Sequence, residues 1–224
     1  MTFRSLLLLA CTPTLFAASE SLRYSINWST GLSLGEASLT TDNIDAQSAA
    51  QRKLEFRLEA SIPGFAVVDE FKSLTSGSYC SAQFDKNLQH GKRNTKETLS
   101  FDQAAKKLER KTEKGGKSEI ATADCAKDAL AWVYFLRHEL RNGRLPAPGP
   151  AYFGAAYQLD IKHAGVANVP IGGAQEPADR FQVNIKGPAS QHSIEVFIGK
   201  DPARTPLLFK VPLPLGSFNM EILR

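Results

Sequence analysis

The most persistent feature of the chain is an alternation of apolar and polar side chains with period two. Leu22, Tyr24, Ile26 and Trp28 alternate with Arg23, Ser25 and Asn27, and Leu54, Phe56 and Leu58 alternate with Lys53, Glu55, Arg57 and Glu59. A strand sends successive side chains to opposite faces, so this pattern predicts strands with one buried and one wet face. Between these two stretches, residues 34–40 form a further strand after a turn at Gly31. Pro63-Gly64 turns the chain into a strand over 66–74, and Gly77 breaks it before another over 79–88. His90-Gly91 then leads into a hairpin of 93–101 and 106–114 that ends at Gly115-Gly116. Strand patterns resume after a proline-rich connector at 145–150: residues 152–162, a turn near Gly165, 167–171, a Gly172-Gly173 break, then 180–186, 193–198, 207–211 and 217–223. Strands that follow one another through short turns pair antiparallel, since parallel neighbours need long crossovers.

One segment departs from this period. Residues 126–141 are good helix formers; Asp124 is placed to cap the N-terminus, Asp128 suits the first turn, and Asn142-Gly143 provides the stop. Residues 129–136 are apolar without interruption and cover every azimuth of two helical turns. A helix lying on a flat sheet keeps one polar side, so this one is expected to be wrapped by a strongly curved sheet. The predicted fold is mainly β: a curved antiparallel sheet or partly open β-barrel enclosing one α-helix, with the 145–150 connector joining halves of a single sheet system. Arg137 follows the apolar run directly, so it is expected to be partly buried and to require a carboxylate or carbonyl partner.

Composition sets the class and the N-terminus sets the compartment. With 224 residues, 42% of them hydrophobic and 22% charged, and a net charge of +4, the chain is ordinary globular protein rather than disordered or fibrous. Arg4 precedes an apolar stretch over 5–16 and the small residues Ala17, Ala18 and Ser19. This reads as a signal peptide over residues 1–19 and a single domain over 20–224, with cleavage after Ala17 as the other boundary. The expected location is the periplasm. A second reading makes Leu8-Leu9-Ala10-Cys11 a lipobox, with an acylated Cys11 anchoring the chain. No other segment is apolar for long enough to span a bilayer as a helix. Export leaves Cys80 and Cys125 as an even pair in an oxidising compartment, which predicts a disulfide, the alternative being two buried thiols. Neither lies in a CxxC pair, so redox catalysis is not expected.

Candidate chemistry is sparse. Gly31-Leu32-Ser33-Leu34-Gly35 spells the GxSxG nucleophile elbow, but a strand pattern follows where that elbow needs a helix. His90, His138, His163 and His192 lack metal-ligand spacing, and no glycine pair has the helix and lysine of a phosphate loop. Asn27-Trp28-Ser29 is a glycosylation sequon inside a strand, and the carboxylates show no diagnostic spacing for glycoside hydrolysis. Residues 92–117 hold nine Lys and Arg against four acidic residues, alternating with Leu99, Phe101 and Leu108. Without interleaved stacking aromatics this is a solvated hairpin face rather than a nucleic-acid surface. No catalytic residue, metal ligand or cofactor is assigned.

Three stretches together resemble a bacterial exported family catalogued as domain of unknown function 3108. They are Tyr24-Ser25-Ile26-Asn27-Trp28 with Gly35-Glu36-Ala37, the helix from Asp128-Ala129-Leu130 through Trp132 to Arg137, and Asp201-Pro202-Ala203-Arg204-Thr205-Pro206-Leu207 with Gly216. Ala131 stands where that family commonly has serine. The resemblance covers nearly all of the chain after the signal. It implies a curved sheet or partly open barrel around one helix, similar to lipoprotein-carrier half-barrels, and no established activity. Residues 201–204 read as a tight turn in which Asp201 bonds backbone amides and Pro202 sets φ, while Arg204 pairs with Asp201 or extends to the surface. Two functions follow. The first is a noncatalytic envelope protein that binds a lipid, acyl chain or lipoprotein, or meets envelope polysaccharide, as an assembly accessory. The alternative is an enzyme acting on carbohydrate or cell wall.

Overall fold

The computed structural model describes residues 19–43, 51–62, 64–213 and 216–224; residues 1–18 of the predicted signal segment, with Cys11, and Pro63 lie outside the described residues. From the N-terminus, β1 (Glu20–Trp28), β2 (Ser33–Asn43), β3 (Gln51–Ile62), β4 (Phe65–Ser76), β5 (Ser81–His90), β6 (Arg93–Asp102), β7 (Lys107–Thr112) and β8 (Lys117–Ala121) run as an antiparallel meander. The short β9 (Lys127–Asp128) leads directly into α1 (Ala129–Arg141). A second meander follows: β10 (Gly149–Tyr152), β11 (Ala156–Ile171), β12 (Ala174–Lys186), β13 (Gln191–Gly199), β14 (Pro206–Leu213) and β15 (Gly216–Ile222). β15 returns to pair with β1, Tyr24 opposite Ile222, and so merges both meanders into one fifteen-stranded sheet. All described pairs are antiparallel except β9 with β10.

The sheet bends until its two ends overlap. At the start of β5, Ser81 N donates to Ala126 O at 2.8 Å, just ahead of β9. Tyr152 packs on Phe101, and Phe153 on Phe71 and Phe84, so the β10 end lies face to face with β4, β5 and β6. Strand order still runs from β8 to β9 without closing. The result is a large curved, unclosed sheet around one helix, the architecture that the uninterrupted apolar run requires. One cluster joins Tyr24, Leu39, Leu54, Phe84 and Leu99 to Leu130, Ala131 and Tyr134 of α1. A second packs Trp132, Leu136 and Leu140 against Ile161, Phe181, Val183 and Ile198. Each large side chain so buried contributes about 1.5–3 kcal/mol, so the helix is held by the sheet on two sides rather than by its own propensity.

Local details differ from the sequence expectation for identifiable reasons. The helix begins at Ala129, and Asp128, not Asp124, is its cap: Asp128 Oδ1 accepts from the amides of Leu130 and Ala131, each at 2.9 Å. Its Oδ2 accepts from Ser73 Oγ at 2.5 Å and Ser81 Oγ at 2.6 Å, tying the helix start to β4 and β5. Asp124 instead meets Lys106 at the surface. Pairing of Lys127 and Asp128 with β10 draws the preceding residues away from the helix. Gly165 is not a turn: β11 runs through it with a register shift between His163 and Val166, and φ of +104° at Gly165 accommodates the extra residue. β8 was not predicted, because Lys117 and Glu119 leave Ile120 as its one large apolar residue. β12 begins at Ala174 rather than at 180.

The GxSxG stretch is accounted for by backbone geometry. Gly31 turns the chain with φ of +93°, and Ser33 is exposed at the start of β2, with no helix after it. A Cβ on Gly35 would stand 1.9 Å from the carbonyl oxygen of Glu59, so only glycine lets β3 approach. Among the described residues no helix is long and apolar enough to cross a membrane.

Candidate functional site

Helix α1 separates two environments. Ala129, Trp132, Val133 and Leu136 recur at intervals of three and four residues, which places them on one stripe. They face strands whose cross-strand rows are also apolar: Ile161 pairs with Val183 and Val183 with Ile194, while Phe181 pairs with Val196 and Val196 with Phe209. Between helix and strands lies a groove of about 390 Å³, within the size range of small-ligand pockets. Ser190 and His192 are the polar residues among those that line it, joined by the single polar atoms of Tyr157 and Trp132. Along β13 the burial rises from exposed His192 through half-buried Ile194 to buried Val196 and Ile198. The groove therefore opens at the polar end and closes among aliphatic side chains. A further apolar hollow of about 520 Å³ lies between β1–β4 and β14–β15, and Phe209 lines both.

Towards its C-terminal end, another flank of the helix is polar. Arg137 is 2% exposed. Its guanidinium grips Glu20 with two bonds of 2.6 and 2.7 Å and also donates to the carbonyls of Arg204 at 3.0 Å and Ala203 at 3.1 Å. Burial alone would push Arg137 towards neutrality, but the hydrogen bonds and charge of Glu20 outweigh it and raise its pKa further. Arg141, one helical turn on, donates to the same Ala203 carbonyl.

The turn that receives these arginines is organised by Asp201. Its carboxylate accepts from the amides of Ala203 at 3.2 Å and Thr205 at 3.0 Å, and from Thr205 Oγ1 at 2.8 Å. Burial pushes the Asp201 pKa up, yet these donors prevail and hold it below the ordinary carboxylate range. Arg204 has φ of +49° and pairs with Asp179 at 2.9 Å, not with Asp201 and not out in solvent. Asp201 spends its oxygens on the turn, whereas Asp179 on β12 lies within reach of Arg204 through the β12–β13 pairing.

Cys80 and Cys125 are joined by a disulfide, with Cα atoms 4.6 Å apart. It fastens the start of β5 to the segment ahead of β9, beside the Ser81–Ala126 bond. The polar positions singled out in the sequence thus divide into this tie and one cluster, in which Arg137, Asp201 and Arg204 converge from helix and turn. Glu20, Asp179 and Tyr134 belong to that cluster and were not singled out. Glu20 lies 117 residues from Arg137, and no local pattern announces such a partner.

Other titratable groups are engaged elsewhere. His90 meets Asp69 at 2.8 Å and His163 meets Asp179 at 3.2 Å, and among the described residues no three ligating side chains gather as a metal set would. In the basic hairpin, Lys96, Lys106, Lys107, Arg110 and Lys111 each find a carboxylate. Glu97 is buried between Lys86 and Arg110; desolvation raises its pKa, but both cations outweigh this and lower it, leaving a charged carboxylate rather than a proton donor.

Comparison with other proteins agrees with the architecture. A beta-barrel-like protein of domain of unknown function DUF1849 from Brucella abortus superposes with a TM-score of 0.64, covering 91% of this chain and 95% of that one. The two share 8% identity, so the likeness shows the fold alone. No curated protein matches the chain in sequence. The model of a family described as protein of unknown function (DUF3108) matches residues 23–223, and with nearly all of its sheet inside that match the chain belongs to this family.

Proposed function

We propose that the chain is an exported, noncatalytic binding protein of the cell envelope whose groove holds the hydrocarbon chain of a lipid or of a lipid-modified protein. The observation that carries this reading is the groove between α1 and β11–β14, about 390 Å³ and walled by Val133, Leu136, Ile161, Val183 and Ile194. An apolar groove of this kind offers a chain the free energy of leaving water at about 0.8 kcal/mol per methylene. Its graded opening suits an amphiphile, with the chain inside and the head near Ser190 and His192.

The test is uptake of a fluorescent fatty acid by delipidated protein. Saturable uptake, displaced by unlabelled fatty acid, is the expected result. Ile194→Trp, which fills the groove near its middle, should weaken uptake by about tenfold with little change in unfolding temperature. Absence of uptake by the unmodified protein would overturn the proposal. Intact mass of the envelope fraction tests the export reading: a chain starting near Glu20 supports a soluble periplasmic form, and a diacylglycerol adduct on Cys11 supports an anchored one.

A further inference from the structure

The polar flank of α1 encloses a separate cavity of about 200 Å³ at the end of the shell. Arg52, Arg137 and Arg141 line it, with Glu20 as the carboxylate among its described lining residues. Glu20 is held from both oxygens by Arg137, which neutralises that pair. The other two guanidinium groups form no ion pair with a described carboxylate. Arg52 donates Nη1–H to the Gly77 carbonyl, and Arg141 uses Nε and Nη2 on Ala203. A guanidinium carries five N–H donors, so each retains donors beyond these bonds. Arg52 is held in place by the Tyr79 ring, 4.5 Å from its central carbon, next to the Cys80 disulfide.

Tyr134 supplies an independent observation. It lines the same cavity, is 5% exposed, and its buried hydroxyl has no hydrogen-bond partner among the described residues. Such an orphan is destabilising, and native proteins leave few of them. Burial pushes this phenol well above its ordinary pKa, with the charges of Arg137 and Glu20 acting on it, so it remains a hydrogen-bond donor. Among the described residues, two cations without a carboxylate partner and a buried donor without an acceptor thus surround one small cavity, and an anionic acceptor would serve all three.

We propose that this cavity binds a small oxyanion the size of phosphate or a carboxylate group, held by the Tyr134 hydroxyl and the spare donors of Arg52 and Arg141. Charge-assisted bonds from guanidinium to such an anion are the strong kind. The anion is either free in solution or the head of an amphiphile. The site shares no lining residue with the apolar groove, so it stands or falls independently of fatty-acid uptake.

Calorimetric titration of the purified protein at constant ionic strength tests it, with inorganic phosphate, acetate and dihexanoylphosphatidylglycerol below its micellar concentration as probes. Saturable binding of phosphate or acetate identifies a free anion, and binding of the phospholipid alone identifies a headgroup; either supports the site. The double variant Arg52→Gln/Arg141→Gln should bind about a hundredfold more weakly, and Tyr134→Phe about threefold to tenfold. Tyr134→Phe removes an unpaired hydroxyl and leaves no new orphan, so it should fold as the unmodified chain does and decides the matter if the arginine variants do not fold. The proposal is overturned if none of the three probes binds saturably, or if Tyr134→Phe binds them as tightly as the unmodified protein.

Discussion

On one flank of α1, Trp132, Val133 and Leu136 look across a groove at aliphatic side chains of β11–β13. On the other, Arg137 meets a carboxylate and two carbonyls through four hydrogen bonds. The difference follows from the kinds of force involved. Apolar contact is non-directional and scales with area, so the helix is retained even where neighbouring space stays open. A buried charge must be matched donor by donor, because an unpaired one costs several kcal/mol. Arg137 therefore sets the position of α1 against Glu20 and the 201–205 turn, and the apolar flank keeps open space beside it.

The comparison is broken most severely by Arg137→Ala. Removing the guanidinium leaves Glu20 and the carbonyl of Arg204 without the donor that holds them, while Ala203 keeps only Arg141, and the expected loss is about 3–5 kcal/mol in urea unfolding. A loss under 1 kcal/mol would show that the polar flank does not position the helix. Next is the disulfide, with a sequence separation of 45: Cys80→Ser/Cys125→Ser should cost about 3–4 kcal/mol in the chain-entropy account. Unfolding of the unmodified protein should shift on reduction by a similar amount, and thiol titration of unreduced, denatured protein should find neither cysteine free. On the apolar flank Leu136→Ala should cost less, about 2 kcal/mol, since the groove beside it already lies open. If it cost more than Arg137→Ala, the contrast between the flanks would be reversed.

The smallest effect concerns pH. Asp201 is held below its ordinary value of 3.8 in the folded state. A carboxylate depressed on folding contributes stability that is fully present above its unfolded pKa and is lost as pH falls through the folded one. Unfolding measured downward from pH 5 should therefore show a loss near and below pH 3.8 that Asp201→Asn reduces by about 1 kcal/mol. An unchanged acid limb would mean that the turn carbonyls reach Arg137 without help from that carboxylate.

Much of the fold was legible because strand patterning is local. The alternation from Leu22 to Trp28 names the buried face of β1 without reference to any partner, and Tyr24 and Ile26 are the residues buried there. The apolar run before Arg137 likewise announced a helix enclosed on several sides. Legibility failed where a local rule competed with a distant contact. Asp124 and Asp128 are equally good caps by type, and Ser73, Ser81 and the pairing of β9 with β10 chose between them. Gly165 looks like a turn in a short window, whereas the long β12 partner keeps the strand continuous through a bulge. Arg204 stood three residues from one carboxylate in sequence and is paired with another on a neighbouring strand.

What the amino-acid order determined by itself is the class of structure: strands of period two, one greasy helix, and a buried arginine in need of partners. These follow from side-chain direction and desolvation, which act within a few residues. Only the tertiary structure decided that Glu20 would be the partner, that the sheet would overlap without closing, and that an apolar groove and an arginine-lined cavity would lie on different flanks of α1. Those outcomes depend on register and curvature accumulated over fifteen strands, and no short window of the chain contains either.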